Sequence, residues 1–173
     1  MSERGLVHLY YGDGKGKTTA AMGLAARAAG SGKRVVIAEF LKGDRSCELA
    51  TLGLSDNVTI MKADCPIKFS FRMTDEEKER TRLANNELLA RLAQCDCDLI
   101  VADEAINAYR LDLIDRQALK DFVVNKPESI ELVLTGRQPE DFFIEHADYA
   151  TEMMCRKHPY REQGIKARRG IEF

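Results

Sequence analysis

Gly12-Asp13-Gly14-Lys15-Gly16-Lys17-Thr18-Thr19 brings together the residue types needed to hold a polyphosphate. The three glycines let the backbone curl with its N–H groups turned inward, toward an anion. The positive end of a following helix would face the same place. Lys17 adds a point charge for the outer phosphates, and the Thr18 hydroxyl is suited to Mg²⁺. Tyr11 stands where the commonest form of such a loop has a further glycine, so the entry to this loop must differ from that form. The stretch is a phosphate-binding loop for a nucleoside triphosphate.

Further along the chain, Leu99-Ile100-Val101-Ala102 runs into Asp103-Glu104. An unbroken apolar strand of this kind delivers its carboxylates to the C-terminal edge of a sheet, where open α/β sheets bind ligands. Opposite Thr18, the two acids can hold Mg²⁺ directly or through water. Thr135-Gly136-Arg137 follows the next apolar run, which puts the Arg137 guanidinium at the same edge, able to clamp a phosphate. Arg27 lies among alanines on the helix after the loop, and reaching the nucleotide and lying along the sheet face are both open to it. The histidines His8, His146 and His158 are dispersed, and His8 falls within a strand as a core residue rather than a catalyst. Beyond Glu104 no residue presents itself as a general base.

The elements that must position these groups alternate in the manner of an α/β domain. Leu6 to Tyr11 reads as a strand and Ala20 to Ala29 as a helix, with Gly30-Ser31-Gly32 breaking the chain. Arg34 to Leu41 and Val58 to Met61 read as strands. Thr74-Asp75-Glu76-Glu77 has the form of a capping box, opening a helix to about Leu92. Asp115 caps a helix through Val124, ended by Pro127. Ile130 to Leu134 is a strand, Pro139 is expected in the first turn of the next helix, and Tyr149 to Met154 is an edge strand. The expected architecture is a three-layer, P-loop NTPase-like (RecA-like) α/β fold, with a mostly parallel sheet flanked by helices. Residues 1–173 are expected to form a single nucleotide-binding domain.

Composition narrows the function. A chain of 173 residues can bury a core without metal or disulfide staples. Its net charge of −2 argues against a general nucleic-acid binder, whose domain would be basic. Cys47, Cys65, Cys95, Cys97 and Cys155 are odd in number and include no Cys-x-x-Cys, which fits thiols in a reducing compartment. No leader precedes the first strand, and no apolar run approaches membrane-spanning length, so a cytoplasmic protein with no membrane partner is expected. These residues define a nucleotide protein and leave its reaction open. γ-Phosphoryl transfer and a nucleotide-dependent binding module without chemistry both remain compatible with them.

The tail changes this position. Lys157-His158-Pro159-Tyr160 and Gly164-Ile165-Lys166-Ala167-Arg168-Arg169-Gly170-Ile171-Glu172-Phe173 would read alone as a solvated charge run. Together with Gly12 to Ala21, Ala25-Ala26-Arg27-Ala28, Phe40-Leu41-Lys42-Gly43, Asp103-Glu104 and Leu134-Thr135-Gly136-Arg137, it resembles the ATP:corrinoid adenosyltransferases, in the family's own order. The resemblance implies transfer of the 5′-deoxyadenosyl group of ATP to the Co(I) of a reduced corrinoid, releasing triphosphate, in adenosylcobalamin biosynthesis or salvage. It implies ATP as co-substrate, Mg²⁺ (with Mn²⁺ as its substitute), a reduced flavoprotein as electron donor and a homodimer. It assigns Gly12, Asp13, Gly14, Lys15, Gly16, Lys17, Thr18, Thr19, Arg27 and Arg137 to ATP, and Thr18, Asp103 and Glu104 to the metal. Lys17, Glu104 and Arg137 become the catalytic candidates. The segment Cys65 to Arg72 matches a stretch that in relatives often contains tryptophan and lies near the corrinoid. Here Phe69 and Phe71 are the candidates, and two roles are open to them: displacing the corrinoid's axial ligand, which would ease reduction of Co(II), or packing their loop onto the core.

Overall fold

The computed structural model describes residues 4–41, 46–65 and 70–172. Six strands form one sheet: β1 (Val7–Tyr11), β2 (Val35–Glu39), β3 (Val58–Lys62), β4 (Leu99–Asp103), β5 (Glu131–Gly136) and β6 (Tyr149–Glu152). They lie in the order β3-β2-β4-β5-β1-β6, and every pairing is parallel. A parallel sheet needs a crossover between neighbours, and helices supply most of them: α1 (Lys17–Gly30), α2 (Cys47–Leu52), α3 (Asp75–Leu92), α4 (Ala105–Arg110), α5 (Arg116–Asn125) and α6 (Asp141–Glu145), with α7 (Pro159–Gln163) beyond the last strand.

Both faces of the sheet are covered. Ala21, Met22, Ala25 and Ala28 of α1 pack on Val35, Ile37, Leu99, Val101 and Val133. Small side chains there let the helix lie close to the strands. On the other face Leu88, Leu89, Leu92, Leu119 and Phe122 cover Val36, Ile100, Leu132 and Leu134. Strands β2 and β4 are buried along their whole length, as their unbroken apolar runs require. This is the P-loop NTPase-like α/β architecture expected from the sequence.

The capping box forms: the Thr74 hydroxyl accepts from Glu77 N–H while the Glu77 carboxylate accepts from Thr74 N–H. Asp115 caps α5 by accepting from Ala118 N–H at 2.9 Å. Some boundaries differ. Helix α1 begins at Lys17 rather than Ala20, because Gly16, at φ 118°, turns the loop directly into the helix. Pro139 lies outside α6, one residue ahead of the N-cap Glu140, instead of within its first turn. Strand β6 ends at Glu152, after which the chain turns onto the glycine-rich loop that follows β1. The sequence reading had no counterpart for α2, α4 and α7.

Register places the chemistry. Tyr11 is paired with Gly136, Glu39 with Asp103, and Ala102 with Leu134. The C-terminal ends of β1, β4 and β5 therefore finish level, and the loops that leave them share one edge. β5 lies between the strand that leads to the loop and the strand that carries the acids.

Candidate active site

Two glycines of the loop are required by space, and the first of them by conformation as well. Gly12 has φ 107°, and a Cβ there would lie 2.5 Å from the Met153 carbonyl oxygen. A Cβ on Gly14 would lie 2.6 Å from the same oxygen. The reason is the segment after β6, which passes over the loop: Met153 N–H donates to Tyr11 O and Gly14 N–H to Met153 O, each at 2.7 Å. Gly16 provides no side-chain cap, so the first turn of α1 presents its N–H groups as an anion site at the positive end of a helix.

Lys17 folds back over the loop, donating to the Gly14 carbonyl at 2.7 Å. Partial burial lowers its pKa below that of an ordinary lysine, and the charge of Arg137 lowers it further. The carboxylates of Glu104, Asp13 and Asp103 act in the opposite sense. That one ammonium feels all four groups shows that the loop and the ends of β4 and β5 converge. Arg137 itself is exposed.

Thr18 donates to both carboxylate oxygens of Asp103, at 3.1 and 3.3 Å. Asp103 is 0 % exposed, and Thr135 donates to it as well, at 2.6 Å. The Thr135 oxygen in turn accepts from Glu104 N–H at 2.9 Å. Glu104 sits at φ 64° as the N-cap of α4, a left-handed backbone that glutamate adopts at a cost of about 1 kcal/mol. This conformation turns the chain sharply at the end of β4, and the Glu104 carboxylate accepts from the Asn107 amide.

A hydroxyl and two carboxylates are hard oxygen donors, the set that suits Mg²⁺. Among the described residues no three His, Cys, Asp or Glu side chains gather around a common point. One hydroxyl and two carboxylates would leave the rest of a six-coordinate Mg²⁺ shell to phosphate oxygens and water.

The tail is not solvated at random. Asp13 accepts from Cys155 N–H at 3.0 Å, the main reason its carboxyl lies below the ordinary range, with Arg161 and Arg137 adding to the effect. Lys15 donates to Ile171 O at 3.0 Å and reaches the Glu172 carboxylate at 3.4 Å. Glu172 is bound by the Arg168 side chain and backbone N–H, which pull its pKa down to about 2. The end of the chain is thus tied to the loop that follows the first strand.

The remaining expectations separate. Arg27 is exposed in the last turn of α1, ten residues and roughly 15 Å of helix axis beyond Lys17, with its charge acting on Tyr10. Thr19 is exposed in the first turn. His8 contacts Glu131 at 2.5 Å and stacks on Tyr149, far from the acids at the opposite end of the strands. All five cysteines are free thiols. Phe71 belongs to a 3₁₀ turn, Ser70–Arg72, and is 78 % exposed, with the Arg72 guanidinium 5.5 Å from its ring centre. It does not pack that turn onto the core. Phe69, like Lys42 and Gly43 of the Phe40 block, lies outside the described residues. Thr135 was named only as part of the motif with Arg137, without a role of its own, and Asn107 was not named. Their signals were a hydroxyl at the end of a buried strand and an amide three residues after the acid.

A glycine-rich loop facing a strand-end acid across an intervening strand is the arrangement of a P-loop NTPase-like α/β protein. The chain belongs to the family of ATP:corrinoid adenosyltransferases, whose model (BtuR/CobO/CobP) matches residues 3–173. It is 30 % identical to the corrinoid adenosyltransferase of Pseudomonas aeruginosa over 99 % of this chain and 85 % of that protein. Identity to the corrinoid adenosyltransferase of a Sinorhizobium species is 31 %, over 99 % and 81 %. For the Escherichia coli K12 protein of the same description it is 28 %, over 100 % and 88 %. Among the described residues no helix is long and apolar enough to cross a membrane.

Proposed function

We propose that this chain transfers the 5′-deoxyadenosyl group of ATP to the Co(I) centre of a reduced corrinoid, with triphosphate as leaving group. The observation that carries the reading is the convergence of Lys17, Thr18, Asp103, Glu104 and Arg137 on one sheet edge, in a chain of this family.

The chemistry agrees with the residues. Co(I) brings an electron pair and no proton, so no general base is needed at the nucleophile. That pair forms the Co–C5′ bond, the C5′–O bond breaks, and the triphosphate leaves with the bonding electrons. Cobalt becomes formally Co(III). Charge grows on the leaving group, and pre-placed cations and N–H donors stabilise it. Lys17 would exchange the Gly14 carbonyl for a phosphate oxygen, and Arg137 would approach from the end of β5. Thr18, Asp103 and Glu104 would hold Mg²⁺, which would supply further charge neutralisation on the triphosphate. Gly12 to Thr19 would wrap the phosphates, and Arg27 would meet a more distant part of the nucleotide.

The reading includes a reduced flavoprotein as the source of electrons, a cytoplasmic setting and a homodimer. Phe69 and Phe71 would lie against the corrinoid and help to displace its axial ligand.

The test is anaerobic incubation of the protein with ATP, Mg²⁺ and chemically reduced cob(I)alamin. The expected result is a light-sensitive Co–C product and one triphosphate per turnover. Absence of a Co–C bond with cobalamin, cobinamide and cobyrinic acid a,c-diamide, with ADP appearing instead, would replace this reading by phosphoryl transfer.

A further inference from the structure

Two of the groups just described are joined by a residue that neither motif includes. Asn107 lies on the first turn of α4, three residues after Glu104 and therefore on the same side of the helix. Its side-chain amide donates to the Glu104 carboxylate, and its side-chain oxygen accepts from Arg137 N–H at 2.8 Å. The orientation of the amide is dictated by its partners, since a backbone N–H must donate and a carboxylate must accept. Aspartate would place a charge against Glu104, and an apolar residue would serve neither group.

The contact needs β5 and α4 to approach unusually closely. At Gly136 (φ 155°) a Cβ would stand 2.6 Å from the Cβ of Ile106 and 2.9 Å from Asn107 N. Side chains longer than glycine's would hold Arg137 away from Asn107. Thr135 adds a second link between the same strand ends through Glu104 N–H and Asp103. That link fixes backbone and metal-side acid, whereas Asn107 holds the Glu104 carboxylate itself.

We infer that Asn107 is a positioning residue, whose amide sets the Glu104 carboxylate and the start of the Arg137 side chain in one fixed relation across the nucleotide site. The inference rests on the adenosyltransferase reading for its consequence in turnover, but its geometry acts already when nucleotide binds. Asn107 is half-buried, at the rim of the site rather than in the core, so replacing it should leave the fold in place.

The experiment is a double-mutant cycle between Asn107→Leu and Glu104→Gln on the full chain, read by calorimetric Mg·ATP affinity and by turnover with cob(I)alamin. Removal of a group that orients a metal-side ligand costs about 10–100-fold. Asn107→Leu is therefore expected to weaken Mg·ATP about tenfold or more in the parent protein and by a clearly smaller factor in Glu104→Gln, where only its hold on Arg137 remains to be lost, with the corrinoid KM unchanged. A purely structural role would cost the same factor in both backgrounds, and that result, or no loss in either, overturns the proposal. Asn107→Asp is isosteric and keeps the acceptor for Arg137. It is expected to show the same dependence on background and answers the question if the leucine variant does not fold. Parent protein that binds Mg·ATP without forming a Co–C bond fails the functional reading alone, and Asn107 is then judged on the binding cycle. Parent protein that binds no Mg·ATP overturns both.

Discussion

The hydroxyl of Thr18 and the carboxylate of Asp103, 85 residues apart in the chain, meet at 3.1 Å, the first at the start of α1 and the second at the end of β4. Neither group is placed by its own neighbours. Burial of α1 against the sheet and the insertion of β5 between β1 and β4 bring them together, and Thr135, on that inserted strand, completes the arrangement.

Thr18→Val keeps the shape of the side chain and removes its donor. The Mg²⁺-dependent part of ATP affinity is expected to fall about 10–100-fold, the range for losing a group at a metal site. Affinity measured without divalent cation should change little. Stability should fall by about 1–2 kcal/mol, because a buried carboxylate loses one of its donors. Calorimetric titrations with and without Mg²⁺ check this. An unchanged response to Mg²⁺ would remove Thr18 from the metal role.

Two glycines should respond oppositely to alanine. Gly23 is exposed inside α1 with nothing within 4 Å of a new Cβ. Gly23→Ala is expected to stabilise by about 0.5–1 kcal/mol through helix preference and the loss of unfolded-chain freedom. Gly136→Ala would drive a methyl into Ile106 and Asn107, at a cost of about 1–3 kcal/mol. For a chain of this length each kcal/mol moves the thermal midpoint by about 2–4 °C, so the two variants should separate by several degrees in a melting experiment. Equal midpoints would mean that the contact between β5 and α4 is looser than described.

Much of this fold could be read from local signals, and the gaps have physical causes. Buried strands such as Leu99–Asp103 and the Thr74–Glu77 capping box depend on neighbours in sequence, so they were legible. Helix α4 was not, because its six residues start from a left-handed Glu104 with no side-chain cap to announce them. The loop, the acids and Arg137 were legible as types, but the roles of Thr135 and Asn107 follow from the register of β4 on β5, which residue types do not disclose. The tail's charges resembled a solvated run because a second partner of Glu172, after Arg168, is Lys15, far away in sequence.

The contact between Arg168 and Glu172 within that tail should be unusually resistant to acid. Glu172, held by Arg168, titrates at about 2 instead of the ordinary 4.5. A carboxylate with a lowered pKa contributes its contact fully above its unfolded value and loses it as pH falls through the folded value. The contact should thus persist from neutral pH through 4.5 and weaken only toward 2. The Arg168 amide, which donates to Glu172, is the reporter. In an NMR titration it should show no inflection between pH 5 and 3.5, and in Glu172→Gln its resonance should be displaced already at pH 7. A midpoint near 4.5 would show that this contact does not hold in solution.

Phe71 offers the sharpest test of where the corrinoid lies. Its ring is 78 % exposed, beside the Arg72 guanidinium, in a turn at the edge of residues 66–69. Covering a phenylalanine is worth about 1.5–3 kcal/mol, which an apolar corrinoid face could supply on binding. The proposed task is displacement of the axial ligand, which eases reduction of Co(II) and has no part in handling ATP. Phe71→Ala should therefore leave Mg·ATP affinity and the rate with pre-reduced cob(I)alamin within about twofold of the parent. With cob(II)alamin and a flavoprotein reductant, the corrinoid step carries the lost burial, and at 1.4 kcal/mol per factor of ten the rate should fall about tenfold or more. A variant equally active from Co(II) and Co(I) would separate Phe71 from the displacement of the axial ligand, and one that also loses Mg·ATP affinity would assign it a structural role instead.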